Sequence, residues 1–221
     1  MLLDLILPRR CAGCARAGIE LCEACLAALP RLRHPLCARC GAPTLWPVRR
    51  CRECAGRRLA FATARSALAY DESVRRIVAG WKEHALRGLA AIAATLVAEL
   101  IPRPAVDAIA FVPADPDRGL KRGHDPPAAL AALLAERWEL PVIPMLERRS
   151  PAPRQRGLAL PERRRNVRDA FAACRAPPTR VVLVDDVYTT GATASEAARS
   201  LLRAGARRVE VVTLARAIRR A

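Results

Sequence analysis

Aromatic residues are scarce, at 4% of 221 residues, and lysine is nearly absent, with Lys82 and Lys121 the only two. Hydrophobic residues still make up 52%, so alanine and aliphatic side chains must fill the core, which favours helices packed closely on a sheet. Acids are also in deficit, 21 against 38 basic residues, and the formal net charge is +17. Arginine carries nearly all of it, and the balance predicts attraction to polyanions. Long apolar runs are missing. Leu89 to Ala98 is too short to span a bilayer and is flanked by Arg87 and Glu99. Met1 to Leu7 contains Asp4 and has no basic residue ahead of it, so it does not read as a signal peptide. These absences argue against membrane insertion and export, and a cytoplasmic protein is expected.

Cysteine, by contrast, is concentrated. Eight of nine lie before residue 55, in four C-x-x-C pairs: Cys11 with Cys14, Cys22 with Cys25, Cys37 with Cys40, Cys51 with Cys54. Two thiolates three positions apart converge on one tetrahedral ion, so the pattern predicts two structural Zn²⁺ sites with closed shells and no water position. Zinc-bound thiolates would lower the net charge to about +13. Seven residues separate the first two pairs and ten the last two, which favours sequential sites, Cys11, Cys14, Cys22 and Cys25 on one ion. An interleaved pairing, first pair with third, satisfies the same count. A segment this small needs its metal to fold. His34, between the pairs, reads as a surface residue, and Cys174, far from them, as a packing residue.

Composition changes near residue 60, which predicts a zinc module over 1–58 and a second domain over 59–221. Phe61 to Tyr70 alternates like a strand, and Asp71 caps a helix running through Trp81. Glu83 to Leu100 continues as an alanine-rich helix, followed by a buried strand at Ala108 to Val112. Next comes a Gly-bearing loop carrying Arg118, Lys121 and Arg122, suited to pyrophosphate oxygens if it faces a ligand and otherwise a solvated basic turn. A helix over Pro127 to Trp138 and a strand over Val142 to Leu146 precede Glu147 to Arg168, where eight arginines face two glutamates. That segment, with Arg154, Gln155, Arg156, Arg163, Arg164 and Arg165, reads as a phosphate-closing lid, a nucleic-acid contact or a solvated face. It lacks interleaved aromatics for stacking bases.

The most informative stretch is Val181 to Thr193, VVLVDDVYTTGAT. A buried-strand signal ends in Asp185 and Asp186, and a loop of small residues, Thr189, Thr190, Gly191, Ala192 and Thr193, then opens a helix over Ser195 to Ala204 and a last strand over Arg208 to Leu214. Such a loop points backbone N–H groups at a phosphate, and the helix adds the positive end of its dipole. Two adjacent carboxylates suit ribose hydroxyls or water on a metal ion. The Gly-Lys-Ser/Thr ending of a Walker loop is missing. Tyr188 reads as packing or stacking.

These residues closely resemble the 5-phosphoribosyl-1-pyrophosphate (PRPP) motif of type I phosphoribosyltransferases. Together with the cysteine-rich head, the Tyr70 and Lys82 region, the basic loop, and Gln155, Leu158, Arg163, Arg164 and Asn166, the whole chain resembles the ComF family. That resemblance implies an α/β fold, a type I phosphoribosyltransferase-like parallel sheet flanked by helices behind a double zinc ribbon. It also implies PRPP with Mg²⁺ as ligand, with Asp185 and Asp186 on the ribose hydroxyls, Thr189 to Thr193 on the 5′-phosphate and Arg118, Lys121 and Arg122 on the pyrophosphate side. The function implied is handling of single-stranded DNA in DNA uptake and natural transformation, with a competence helicase or recombination protein as partner. Glycosyl transfer with pyrophosphate release is the reaction if the pocket is catalytic. The alternative is a non-catalytic module that binds a nucleotide or DNA end and docks a partner. One departure stands out: family members commonly read Arg-Gly-Phe-Asn where this chain has Arg122, Gly123, His124 and Asp125. An acid facing the pyrophosphate there would repel it.

Overall fold

The computed structural model describes residues 9–83, 86–115, 124–149 and 169–218. Its centre is a four-stranded parallel sheet. The strands are β1 (Thr63–Ala69), β2 (Ala108–Phe111), β5 (Arg180–Tyr188) and β6 (Arg208–Arg216), in the order β1-β6-β5-β2. β-Branched and aliphatic runs form these strands because both faces are covered, so nearly every position can be apolar. Val182, Val184, Val212 and Leu214 point into one core, and Val181, Leu183, Val209 and Val211 into the other.

On the first face lie the helices α2 (Glu72–Glu83), α3 (Leu89–Leu100) and α4 (Pro126–Trp138). Asp71 caps α2 by accepting from the Val74 N–H at 2.9 Å, as its position before the apolar repeat predicts. Ala90, Ala93, Ala94 and Ala131 are buried there, so small side chains let helix and sheet approach closely. On the second face lie α5 (Ala192–Arg203) and a two-stranded antiparallel ribbon of β3 (Leu146–Arg148) with β4 (Phe171–Ala173).

The cysteine-rich head, with its short helix α1 (Glu23–Ala27), straddles the sheet. Cys11 and Cys22 belong to the first core, Cys37, Cys40 and Cys54 to the second. Gly41 explains the close fit of the second knuckle, since its φ is +68° and a Cβ there would stand 2.6 Å from the Ala64 carbonyl oxygen of β1.

Four expectations need correction. The helix read over Glu83 to Leu100 begins only at Leu89, with Gly88 as its cap, and Glu83 instead ends α2. The strand read at Val142 to Leu146 is displaced: Val142 makes only an isolated parallel bridge to Ile109, and pairing begins at Leu146, where β4 supplies a partner. Three apolar-to-small residues give β4 too little periodicity to be read. Helix α5 starts three residues before Ser195, because Gly191 at φ +71° already turns the chain into it. Cys174 is exposed rather than packed, with its thiol directed at the Pro144 carbonyl at 3.5 Å.

Candidate functional site

All four parallel strands end at one edge of the sheet, which is where an open α/β fold gathers its ligand groups. Asp185 and Asp186 sit near the carboxyl end of β5, flanked by β6 on one side and β2 on the other. Phe111 is paired with Val184, so the chain leaving β2 toward the basic loop passes beside Asp185. Arg118, Lys121 and Arg122 themselves lie outside the described residues, as do Arg154, Gln155, Arg156, Arg163, Arg164 and Arg165.

The two acids differ in setting. Asp186 is buried and its Oδ2 is ion-paired with the Lys82 ammonium from the last turn of α2. Asp185 is half-buried, and its Oδ1 accepts the Asp186 N–H at 2.8 Å. Burial, then the neighbouring Asp186 charge, pushes the Asp185 carboxyl up to about 7, against the pull of Lys82. Tyr70 stands within reach of the same charges, its phenol raised mainly by burial. The sequence marks Lys82 as one of two lysines and, with Tyr70, as part of the family resemblance, but not as the partner of Asp186.

The loop after β5 supplies donors. Among the described residues, the N–H groups of Thr190 and Gly191 have no backbone partner, and the first-turn N–H groups of α5 have none inside the helix. The Ala192 N–H is held by Thr190 Oγ1 at 3.2 Å. Asp185, Thr189, Gly191 and Thr193 line one small cavity with Tyr188 and Thr213. Gly191 must be glycine: besides its positive φ, a Cβ would stand 2.3 Å from the Tyr188 hydroxyl.

Tyr188 is the floor of the loop. Its ring meets Phe61 edge-on at 6.1 Å and carries the Arg216 guanidinium over its face at 5.0 Å. It packs and stacks, as its place in the motif suggests.

Arg57, just past the last cysteine, donates to the Thr190 carbonyl, and the Ala60 N–H donates to Ser195 Oγ at 3.0 Å. The end of the cysteine-rich head and the residues just after it thus grip the segment following β5 directly, which nothing in the sequence spacing announces. A cavity of about 600 Å³ lies beside this contact, lined by Arg57, Arg58, Ser195, Glu196 and Arg199 among others.

Asp125 does not face the pocket as an unpaired charge. Its carboxylate caps α4, accepting from Ala128 N at 3.2 Å, and its other oxygen accepts from Ala114 N at 3.2 Å. Both carboxylate oxygens are thus engaged by backbone N–H donors, and the charge sits at the N-terminus of α4, where the helix dipole favours it. His124 Nε2 lies 2.7 Å from the Trp81 carbonyl.

The cysteines form two groups, Cys11, Cys14, Cys22 and Cys25, and Cys37, Cys40, Cys51 and Cys54, all sulfurs of a group lying within 4.8 Å of one another. Pairing is therefore sequential, and the interleaved alternative falls. Sulfur separations of 3.7 and 3.8 Å in the first group and 3.5, 3.7 and 3.9 Å in the second bracket the tetrahedral edge of about 3.8 Å that Zn–S bonds require. In both groups the third cysteine's N–H donates to the first cysteine's sulfur, at 3.4 Å for Cys22 to Cys11 and 3.3 Å for Cys51 to Cys37. Burial raises both thiols, but backbone N–H donors outweigh it and bring Cys11 down to about 6 and Cys37 to about 7. The donor sets fit Zn²⁺.

Residues 2–55 match the family model of the double zinc ribbon domain. "DNA utilization protein YhgH" of Salmonella typhi is 30% identical over 210 residues, covering 90% of this chain and 91% of that protein. The chain belongs to the ComF family. "Competence protein F" of Haemophilus influenzae is 34% identical over 116 residues, a match spanning 50% of this chain and 51% of that protein, about half of each. Among solved structures, a glutamine PRPP amidotransferase from B. subtilis is 24% identical with a TM-score of 0.38, over 56% of this chain and 24% of that one. Orotate phosphoribosyltransferase from Aeropyrum pernix is 22% identical with a TM-score of 0.34, over 67% of each chain. At such scores these likenesses carry no weight beside the sheet order itself. The ComF fold class is the one seen here: a parallel sheet with flanking helices and an N-terminal ribbon bearing two four-cysteine sites.

Proposed function

We propose that this ComF protein handles single-stranded DNA during uptake and binds PRPP, or the ribose 5-phosphate part of a nucleotide, with Mg²⁺ at the carboxyl end of β5. The observation that carries the reading is the pairing of two opposed elements at one strand end. Asp185 and Asp186 offer oxygens to ribose hydroxyls or hydrated Mg²⁺, and a few residues on, the Thr189 to Thr193 loop offers the 5′-phosphate N–H groups, of which those of Thr190 and Gly191 have no backbone partner among the described residues. The spacing suits a molecule with hydroxyls at one end and a phosphate at the other. Lys82 neutralises Asp186 and keeps two adjacent acids tolerable before a ligand arrives. Mg²⁺, when bound, would supply charge stabilisation to a departing pyrophosphate. The relatives' names, competence and DNA utilization, support the placement in DNA uptake. Arg118, Lys121 and Arg122 stay assigned to the pyrophosphate side, and the arginines of 154–165 to DNA or lid contacts. A helicase or recombination protein stays the proposed partner, and the two-part division at residue 58 stays a proposal.

Calorimetry of the zinc-loaded chain with PRPP and Mg²⁺ tests the pocket. Measurable heat that disappears in Asp185→Asn/Asp186→Asn is expected, and no heat with folded protein overturns the reading. A second reading, a binding module without turnover, is favoured by one feature: Asp186 is already ion-paired, which leaves one carboxylate for a metal. Pyrophosphate release in the presence of purines, pyrimidines or DNA ends separates the two. Silence across that panel with binding intact selects the module.

A further inference from the structure

Seven of the eight aromatic side chains are buried or half-buried, and the eighth, Trp46, is 64% exposed. Beside it Leu45 is 87% exposed. Large apolar side chains are normally taken out of water, so a chain this poor in aromatics that leaves one at a loop tip has it available for contact. The loop is held firmly at its base. On one side the Thr44 N–H and hydroxyl both donate to the Pro35 carbonyl, at 3.0 and 3.3 Å, and on the other the Ala38 N–H donates to the Val48 carbonyl at 2.9 Å. In the chain the loop runs between the two cysteine pairs of the second group, Cys37 with Cys40 and Cys51 with Cys54.

The chain that follows the tip is rich in arginine. Arg49, Arg50 and Arg52 are exposed, and no ion pair or side-chain hydrogen bond engages them among the described residues. From His34 to Arg58 the only acid is Glu53, and Arg216 already occupies it at 2.6 Å. Arginine thus follows one aromatic platform in the chain, the combination that binds phosphates while a base stacks. A closed duplex presents no free base face to such a tip, and a single strand does.

We propose that the Leu45-Trp46 tip of the second zinc ribbon is a single-strand binding platform, with Trp46 stacking on a base and Arg49, Arg50 and Arg52 contacting the flanking phosphates. It rests on the DNA-handling reading above and adds a contact surface apart from the ribose-phosphate pocket. The knuckle that carries it is tied to that pocket's floor, because Arg216 donates to the Cys40 carbonyl at 2.5 Å while lying over Tyr188.

The test uses the full zinc-loaded chain and an oligodeoxythymidine without terminal phosphates, so that a 5′-phosphate in the pocket contributes nothing. Trp81 and Trp138 are buried, so a change in tryptophan emission reports on Trp46. Quenching on addition of the oligonucleotide is expected, absent in Trp46→Ala, whose affinity should fall about ten-fold. Trp46→Phe, which keeps a ring, should lose far less. Arg49→Ala/Arg50→Ala should flatten the salt dependence by about 1.4 in log–log slope, two phosphate contacts' worth. Trp46→Ala that binds the oligonucleotide like the parent, as a protein-docking tip would, overturns the platform while leaving the DNA reading standing. Failure of the parent chain to bind the oligonucleotide overturns both, whereas the PRPP titration reports on the pocket alone.

Discussion

Arg216 leaves the end of β6 fully buried and closes a 2.6 Å ion pair with Glu53, one of the two residues between the cysteines of the last C-x-x-C pair. The same guanidinium covers Tyr188, on which the Thr189 to Thr193 loop rests. One side chain thus joins the second four-cysteine site, β6 and the floor of the proposed ribose-phosphate pocket. Removing the carboxylate would strand a buried cation, so Glu53→Ala should cost about 3 kcal/mol in urea denaturation. Replacing both residues by Met should recover much of it, since the pair loses little against a packed apolar equivalent. A double variant no more stable than Glu53→Ala would refute the account.

Zinc content follows from the same geometry. Elemental analysis should return two ions per chain, and Cys54→Ser, at a sulfur buried in the second core, should return one. Because each four-cysteine group packs on a different face of the sheet, stripping both ions should unfold the head and expose both cores. A chain that keeps its circular dichroism and melting temperature after chelation would show the metal to be dispensable.

Much of this was legible beforehand. Strand β5 and its loop were readable because a run of aliphatics, two acids and small residues each have a single physical use in that order. The cysteine pairs were readable because tetrahedral coordination dictates their spacing. What escaped were long-range polar contacts: Lys82 on Asp186, Arg57 on the Thr190 carbonyl, and Arg216 on Glu53. Arginine is so abundant here that no pattern marks the few that are buried or shared. The orientation of Asp125 is hidden for a related reason, since a loop acid and a helix cap look alike until Pro126 is seen to open α4.

At Gly191 two constraints coincide, φ +71° and a Tyr188 hydroxyl 2.3 Å from where a Cβ would lie. Tyr188 has nowhere to retreat, packed between Phe61 and Arg216. Gly191→Ala should therefore destabilise the protein by about 2 kcal/mol and displace the N–H groups proposed to meet the phosphate. Calorimetry should find PRPP binding weakened by more than ten-fold, well beyond what a stability loss alone explains. Retained affinity would mean that the loop is not the phosphate site.

Asp185 sets a pH dependence. Its carboxyl is raised from 3.8 to about 7, so between those values the folded chain holds a proton that the unfolded chain has released. Stability of the ligand-free protein should accordingly fall as pH rises from about 4 to 7 and level off above. Asp185→Asn removes that penalty and should stabilise the protein at pH 8 by on the order of 1 kcal/mol. Ligand binding should move the other way, since ribose hydroxyls and Mg²⁺ want the carboxylate, and PRPP affinity should rise through pH 7. Parallel melting curves for the two proteins from pH 4 to 8 would contradict the assignment.

Asp125 offers a test of whether the departure from the family's usual amide matters to the ligand. Both of its oxygens are engaged, one on Ala128 N–H at the start of α4 and one on Ala114 N–H where the basic loop begins. Asparagine caps helices about as well as aspartate, so Asp125→Asn should change stability by a few tenths of a kcal/mol, whereas Asp125→Ala should cost about 1 kcal/mol. If the carboxylate repelled pyrophosphate, restoring the amide would tighten PRPP binding. The bonds it makes put its charge on the helix terminus, where the dipole favours it. Equal PRPP affinities for the parent and Asp125→Asn are therefore expected, and a clear gain in the amide variant would return the acid to the pocket.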